Sequence, residues 1–117
     1  MKKTYTGGCH CGAVRYHVTA DLDQVINCNC SNCSKVGYLL TFVSADQFVL
    51  ESGEESLTDY LFNKKIIHHL FCKVCGIHSF GRGVGPDGSE MTAINVRCLD
   101  GVDVNTLTVH PYDGKSR

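Results

Sequence analysis

The stretch Gly7-Gly8-Cys9-His10-Cys11-Gly12-Ala13-Val14-Arg15-Tyr16 carries two signals from which the fold can be read. The first is a strand. Over residues 12–18, Ala13, Arg15 and His17 alternate with Val14, Tyr16 and Val18, the period-two pattern of a strand with one buried face. The second is a metal knuckle. Cys9 and Cys11 are too close in sequence for an unstrained disulfide, yet well placed to share one ion. Gly12 lets the backbone turn sharply just after Cys11, so that neighbouring N–H groups can point at the sulfurs.

Working outward, the matching half is Phe71-Cys72-Lys73-Val74-Cys75-Gly76, a C-x2-C pair again followed by glycine. Cys9, Cys11, Cys72 and Cys75 can close a tetrahedron around zinc with Zn–S bonds of about 2.3 Å. Such an ion clips the first strand to a much later hairpin and contributes directly to folding. With four cysteines no coordination position is free, so this site is expected to be structural.

A third stretch, Ile26-Asn27-Cys28-Asn29-Cys30-Ser31-Asn32-Cys33-Ser34-Lys35, has three cysteines and stops short of a fourth. Three protein ligands with one open position is the pattern of a reactive zinc site. Zinc on three thiolates is a weak Lewis acid and favours sulfur in its open position. A thiol bound there is ready as a nucleophile, so thiol chemistry is expected rather than peptide or ester hydrolysis. The spacing leaves other readings open. Cys98, in Asn95-Val96-Arg97-Cys98-Leu99-Asp100-Gly101, could seal the second site, or could be a buried small apolar residue as free cysteines commonly are. The C-x-C and C-x2-C halves could be exchanged between sites. The three-cysteine segment could be metal-free with a redox role. An iron–sulfur cluster fits poorly, because the spacings match neither common ferredoxin pattern.

Bulk properties frame these motifs. A chain of 117 residues suits one domain, spanning 1–117. Hydrophobic residues at 43% against 20% charged describe a globular chain rather than a disordered one. The net charge of −1 and the lack of a long basic run argue against nucleic acid as a partner; Lys2-Lys3 and Lys64-Lys65 read as solvated pairs. No apolar stretch follows the N-terminal lysines, so no signal peptide is expected. The longest mainly apolar run, residues 38–43, is too short to span a bilayer. The expectation is a soluble, cytoplasmic protein without membrane partners, in a compartment where clustered cysteines bind metal more often than they form disulfides.

The rest of the chain reads as mainly β. Short strands are predicted at 38–43, 47–50, 56–62, 66–71 and 91–96, with 56–62 and 66–71 joined at Asn63-Lys64-Lys65. Gly53 with Glu54 and Glu55 makes a turn, and residues 77–80 continue beyond Cys75. Gly81 to Gly88 reads as a loop, and the tail from Leu99 shows little periodicity. One small helix at most is expected. His10 must point away from its neighbours' ion. His17, His68, His69 and His110 fit surface or strand-face positions, while His78 could reach a pocket as an acid/base or supporting residue.

The motifs GGCHCGAVRY at 7–16, CNCSNCSK at 28–35, HLFCKVCGIHSF at 69–80 and NVRCLDG at 95–101 together resemble the glutathione-dependent formaldehyde-activating enzyme family, also called centromere protein V-like. The resemblance runs from about Gly7 to about Asp103. It implies a small, twisted β-tent fold of short antiparallel strands with zinc knuckles. It also implies two zinc ions per chain: a structural one on Cys9, Cys11, Cys72 and Cys75, and a catalytic one on Cys28, Cys30 and Cys33. The implied activity joins glutathione and formaldehyde to give S-hydroxymethylglutathione, and in reverse is that of a carbon–sulfur lyase. A small thiol such as glutathione is then the expected partner, with Lys35, Lys64, Lys65 and Arg82 as cations available to its carboxylates. His78 or water would deliver the proton. Two non-enzymatic classes stand beside this one: a zinc module that binds a protein partner, and a thiol-based redox or zinc sensor.

Overall fold

The computed structural model describes residues 2–29, 31–60, 68–85 and 87–112. The strand predicted in the opening stretch starts three residues late. β2 (Arg15–Ala20) buries Tyr16, Val18 and Ala20 and leaves the alternate residues half-buried. Residues 12–14 belong instead to the knuckle turn, because β1 (Lys3–Gly8) pairs with β2 from Lys3 opposite Ala20 to Gly8 opposite Arg15. β1 went unread in the sequence because only its last two residues, both glycines, are buried. β5 (Phe48–Ser52) completes an antiparallel three-stranded sheet in the order β1-β2-β5.

The second sheet has seven strands. In spatial order they are β10 (Val109–Tyr112), β3 (Val25–Cys28), β4 (Leu40–Ser44), β9 (Glu90–Asn95), β8 (Phe80–Val84), β7 (His68–Cys72) and β6 (Leu57–Tyr60). All pairings in it are antiparallel except β10 with β3, which is parallel. The predicted strands at 38–43, 47–50, 56–62, 66–71 and 91–96 all correspond to strands, shifted by one or two residues where described. The predicted junction at 63–65 lies outside the described residues.

Two expectations are corrected. The segment from Gly81 is not a loop at its start: β8 runs through Gly81 and Gly83, paired to β9 up to Val84 opposite Glu90. Gly81 serves close approach rather than turning, since a Cβ there would lie 2.9 Å from the His68 carbonyl oxygen. The tail is not patternless either, because Val109–Tyr112 adds an edge strand beside β3. Four residues that include a proline give too short a run for alternation to register.

The sheets enclose one core. Val14, Tyr16, Val18 and Ala20 meet Val43, Leu70, Cys72, Phe80 and Ile94 across it. Tyr16, Phe48 and Phe80 form its aromatic centre, with ring centroids 4.6–5.7 Å apart. Each such side chain contributes roughly 1.5–3 kcal/mol by leaving water. Register fixes which residues face away from this core. Leu40, Asn95, Ala93, Gly81, His69 and Phe42 share the outer face of the seven-stranded sheet. α1 (Ser31–Val36), the one small helix anticipated, covers part of that face through a second cluster of Cys28, Cys33, Tyr38 and Leu40, with Ile26, Val36 and Ala93 against it.

Candidate functional site

Two hairpin turns bring four sulfurs together. Cys9 leaves β1 and Cys11 sits in the turn before β2; Cys72 ends β7 and Cys75 sits in the turn before β8. Their Sγ atoms all lie within 4.8 Å of one another. Cys9 to Cys11 and Cys11 to Cys72 are each 3.6 Å. A tetrahedral zinc with bonds of about 2.3 Å has sulfur–sulfur edges of about 3.8 Å, so a metal ion could be held here with little rearrangement. The turns are closed by backbone bonds, Cys9 N–H to the Val14 carbonyl at 3.1 Å and Cys72 N–H to the Ile77 carbonyl at 3.0 Å. Gly12 and Gly76 follow the second cysteine of each pair with φ of 85° and 79°. A Cβ would meet open space at either, so it is the left-handed backbone that requires glycine.

That backbone aims N–H groups at the sulfurs. Val14 N–H donates to Cys9 Sγ at 3.3 Å. The N–H groups of Cys11 and Ile77 hold the Cys75 thiol down to about 6. Burial works against ionising Cys9, but the Val14 N–H and the Cys11 and Cys72 thiols outweigh it and lower its pKa. Cys11 receives the Ala13 N–H, yet burial and the three neighbouring sulfurs push it up to about 12. Four adjacent sulfurs cannot all be anionic unaided, so they share protons; a coordinating cation replaces those protons outright.

The three-cysteine segment is held differently. Cys28 ends β3 and Cys33 lies in α1, both buried in the same small cluster. Cys30 lies outside the described residues. α1 has six residues, well below the ~12–15 at which an isolated helix becomes marginally stable. Its place is set by tertiary bonds. Asn32 Nδ2 donates to His69 Nδ1 at 3.0 Å, and the Tyr38 hydroxyl lies 3.0 Å from His78 Nδ1. The His78 ring stacks on Phe71 at 5.0 Å and meets Tyr38 edge-on at 5.8 Å. Burial lowers the pKa of His78 below the ordinary imidazole value, and burial followed by the nearby His78 does the same for His69. Both rings are therefore neutral near pH 7. Beside them Ser79 Oγ is buried with no hydrogen-bond partner among the described residues.

The sequence candidates divide accordingly. Among the described residues, Cys9, Cys11, Cys72 and Cys75 are the one set of three or more metal-ligating side chains that converge. Cys98 does not converge with Cys28 and Cys33. Its thiol points at the His78 carbonyl at 3.9 Å and is pushed up to about 11 by burial. It is only partly buried as a residue, short of the fully buried apolar role expected. His10 and His110 are exposed, His17 faces Glu51 at 3.5 Å and His68 pairs with Asp59. His69 takes the strand-face position expected and is buried there, at 8% exposure, with Asn32 of α1 bonded to it. Lys35 stands in the last turn of α1. Arg82 lies over the Phe80 ring at 5.5 Å, and register places it on the sheet face opposite α1. Lys64 and Lys65 lie outside the described residues. Sequence reasoning missed Asn32, Tyr38, His69, Phe71 and Ser79. Partners 37 and 40 positions apart leave no local pattern to find.

Two β-sheets joined by four hairpin cysteines, with Cys28 and Cys33 set apart at the end of β3 and in α1, define the class: a cysteine-clustered β protein whose four sulfurs could hold a metal ion. The profile of the family described as "Glutathione-dependent formaldehyde-activating enzyme" matches residues 4–112, and the chain belongs to that family. A protein of Talaromyces marneffei named "Putative glutathione-dependent formaldehyde-activating enzyme" is 32% identical over 80 residues. That match covers 63% of this chain and 42% of the relative, so the chain spans less than half of that protein's length. A crystal structure of a Rhodobacter sphaeroides protein superposes with a TM-score of 0.81 at 30% identity, over 91% of this chain and 97% of the other. Among the described residues no helix is long and apolar enough to cross a membrane.

Proposed function

We propose that the chain is a zinc-dependent enzyme of carbon–sulfur bond chemistry, joining a small thiol to an aldehyde and reversing the same step. Glutathione and formaldehyde are the pair the family name suggests. In this reading Cys9, Cys11, Cys72 and Cys75 hold a structural zinc, and Cys28, Cys30 and Cys33 hold a second. A zinc ion held by those three thiolates would supply the charge that keeps an incoming thiol ionised near neutral pH. The thiol sulfur forms its bond to the carbonyl carbon, the carbonyl π pair moves to oxygen, and that oxygen takes up a proton. Net, the thiol and the aldehyde combine without loss of any atom.

The chain's own residues handle position and proton. The Tyr38 hydroxyl lies 3.0 Å from His78 Nδ1; with that hydroxyl as donor, the ring proton would sit on Nε2, a neutral donor for the aldehyde oxygen. His69 holds Asn32 and so the start of α1. Lys35 is the described cation nearest in sequence to the three cysteines and would meet a carboxylate of the thiol. A cytoplasmic, reducing setting keeps the sulfurs free to bind metal.

The observation that carries this reading is the family membership, joined to the burial of Cys28 and Cys33 in one cluster apart from the four-sulfur group. Zinc-loaded protein is expected to speed exchange between free and hydroxymethylated glutathione, read by exchange NMR. No acceleration over buffer with glutathione, cysteine or another common cellular thiol rejects the enzymatic reading and leaves the zinc module or sensor.

A further inference from the structure

Ser79 presents an anomaly. It is 1% exposed, and its Oγ has no hydrogen-bond partner among the described residues. A buried hydroxyl left unpaired forfeits the hydrogen bonds it made to water, so a folded protein rarely keeps one without use. Its carbonyl is engaged, accepting from the Tyr16 hydroxyl at 3.3 Å and from the Asn95 N–H at 3.1 Å, whereas its hydroxyl is idle.

Register gives its direction. Phe80 lies opposite Ile94, so Ser79 lies opposite Asn95, which in turn lies opposite Leu40. Ser79 therefore projects from the outer face, the face of Leu40, Ala93, Gly81 and His69. Leu40 belongs to the cluster that buries Cys28 and Cys33, and Ala93 packs against that cluster. His69 bonds Asn32, the residue before Cys33. The next residue back, His78, bonds Tyr38 of the same cluster. The hydroxyl thus lies on the sheet face that α1 and the three-cysteine segment cover.

We propose that the Ser79 hydroxyl donates its hydrogen to anionic sulfur in the loaded three-cysteine site. Resting on the zinc reading above, this gives the idle hydroxyl a partner that exists only when sulfur there is ionised. The acceptor is either a ligand thiolate of the chain or the thiolate of the substrate; both present the same chemistry to Oγ. A hydroxyl–thiolate bond lowers charge on the sulfur, which steadies the bound state and tempers the nucleophile.

The test is a reversal of sign. In a Cys33→Ala background, where the second site cannot load, Ser79→Ala removes an unpaired buried group and raises the thermal midpoint. In the otherwise wild-type, zinc-saturated protein the same substitution gives a loss. If the acceptor is a ligand thiolate, affinity for the second zinc falls about tenfold in a chromophoric-chelator competition, the lower end of the range for groups supporting metal ligands. If it is the substrate, zinc affinity holds and glutathione binding weakens about tenfold, read by isothermal calorimetry. Ser79→Ala that shifts the midpoint in the same direction in both backgrounds, with both affinities unchanged, overturns the inference alone. A wild-type chain that takes up one zinc ion at saturation overturns the zinc reading together with it.

Discussion

The two cysteine regions differ in what holds them. The four-sulfur group is built by backbone: two hairpin turns, two left-handed glycines and a set of N–H groups aimed at sulfur. The three-cysteine segment is built by side chains from distant strands, which pin a six-residue helix unable to hold itself. A site made of turn geometry resists change, because each turn that positions it is anchored at both ends in paired strands. A site made of a few side-chain bonds can adjust when a ligand arrives or leaves. The first arrangement suits a structural ion and the second a working one.

The sharpest way to break this contrast is to remove one sulfur from each. Cys72 is fully buried, contributes to the main core and ties β7 to the β1–β2 hairpin. Structural zinc supplies ~10–16 kcal/mol in small zinc-binding peptides, against roughly 5–15 kcal/mol of net stability in a whole domain. Cys72→Ser is therefore expected to lose dispersed amide signals in a two-dimensional NMR spectrum at 25 °C. Cys33→Ser is expected to keep them, to hold one zinc instead of two, and to lose about 1–2 kcal/mol of stability. Equal damage from both substitutions would erase the distinction between a clip and a working site.

A smaller effect tests the side-chain scaffold. Tyr38→Phe deletes one hydroxyl whose partner is His78 Nδ1. The loss of one such bond costs about 1 kcal/mol of stability. It also frees the His78 ring to choose its tautomer. Exchange of the hydroxymethyl group is expected to slow about tenfold, as for other groups that orient a site's residues, with both zinc ions retained. A slower rate with an unchanged melting curve would give Tyr38 a purely chemical role, whereas a lower melting point at full rate would confine it to packing.

The same contrast explains what could be read in advance. The four-sulfur set was legible because each half is a local motif, cysteine pair then glycine, and local motifs survive in one dimension. Strands with buried alternate residues, such as Tyr16 and Val18 of β2, were legible for the same reason. β3 and β10 were not, because four-residue strands carry too little pattern. Gly81 misled, since a glycine demanded by the His68 carbonyl across the sheet looks in sequence like one demanded by a turn. Cysteine spacing says nothing of His69 or Ser79, whose meaning arises only when α1 lies over the sheet.

The smallest effect concerns a second tie on the same hairpin. Asp100, just beyond β9, accepts from the Thr6 hydroxyl at 2.8 Å and from the Arg15 guanidinium, while its own N–H donates to the Thr6 carbonyl at 2.8 Å. Arg15, with help from Thr6, holds the Asp100 carboxyl below the usual carboxylate range. The two side chains are 38% and 52% exposed, so solvent screens the pair. Exposed pairs contribute roughly 0.2–1 kcal/mol, and Asp100→Asn is expected to cost no more, falling further as salt is added. A carboxyl with a depressed folded pKa contributes fully above its unfolded value, near 3.9, and loses that contribution only as pH falls through the folded value. Between pH 7 and pH 5 the gap in urea midpoint between wild type and Asp100→Asn should thus stay constant. Over the same interval a metal held by the four sulfurs would lose ground to protons competing for the thiolates, so the chain is expected to become less stable with acid while the Asp100 difference does not move. A gap that closed in step with the loss of stability would mean that the surface pair depends on the metal clip, and that the two ties on this hairpin are one.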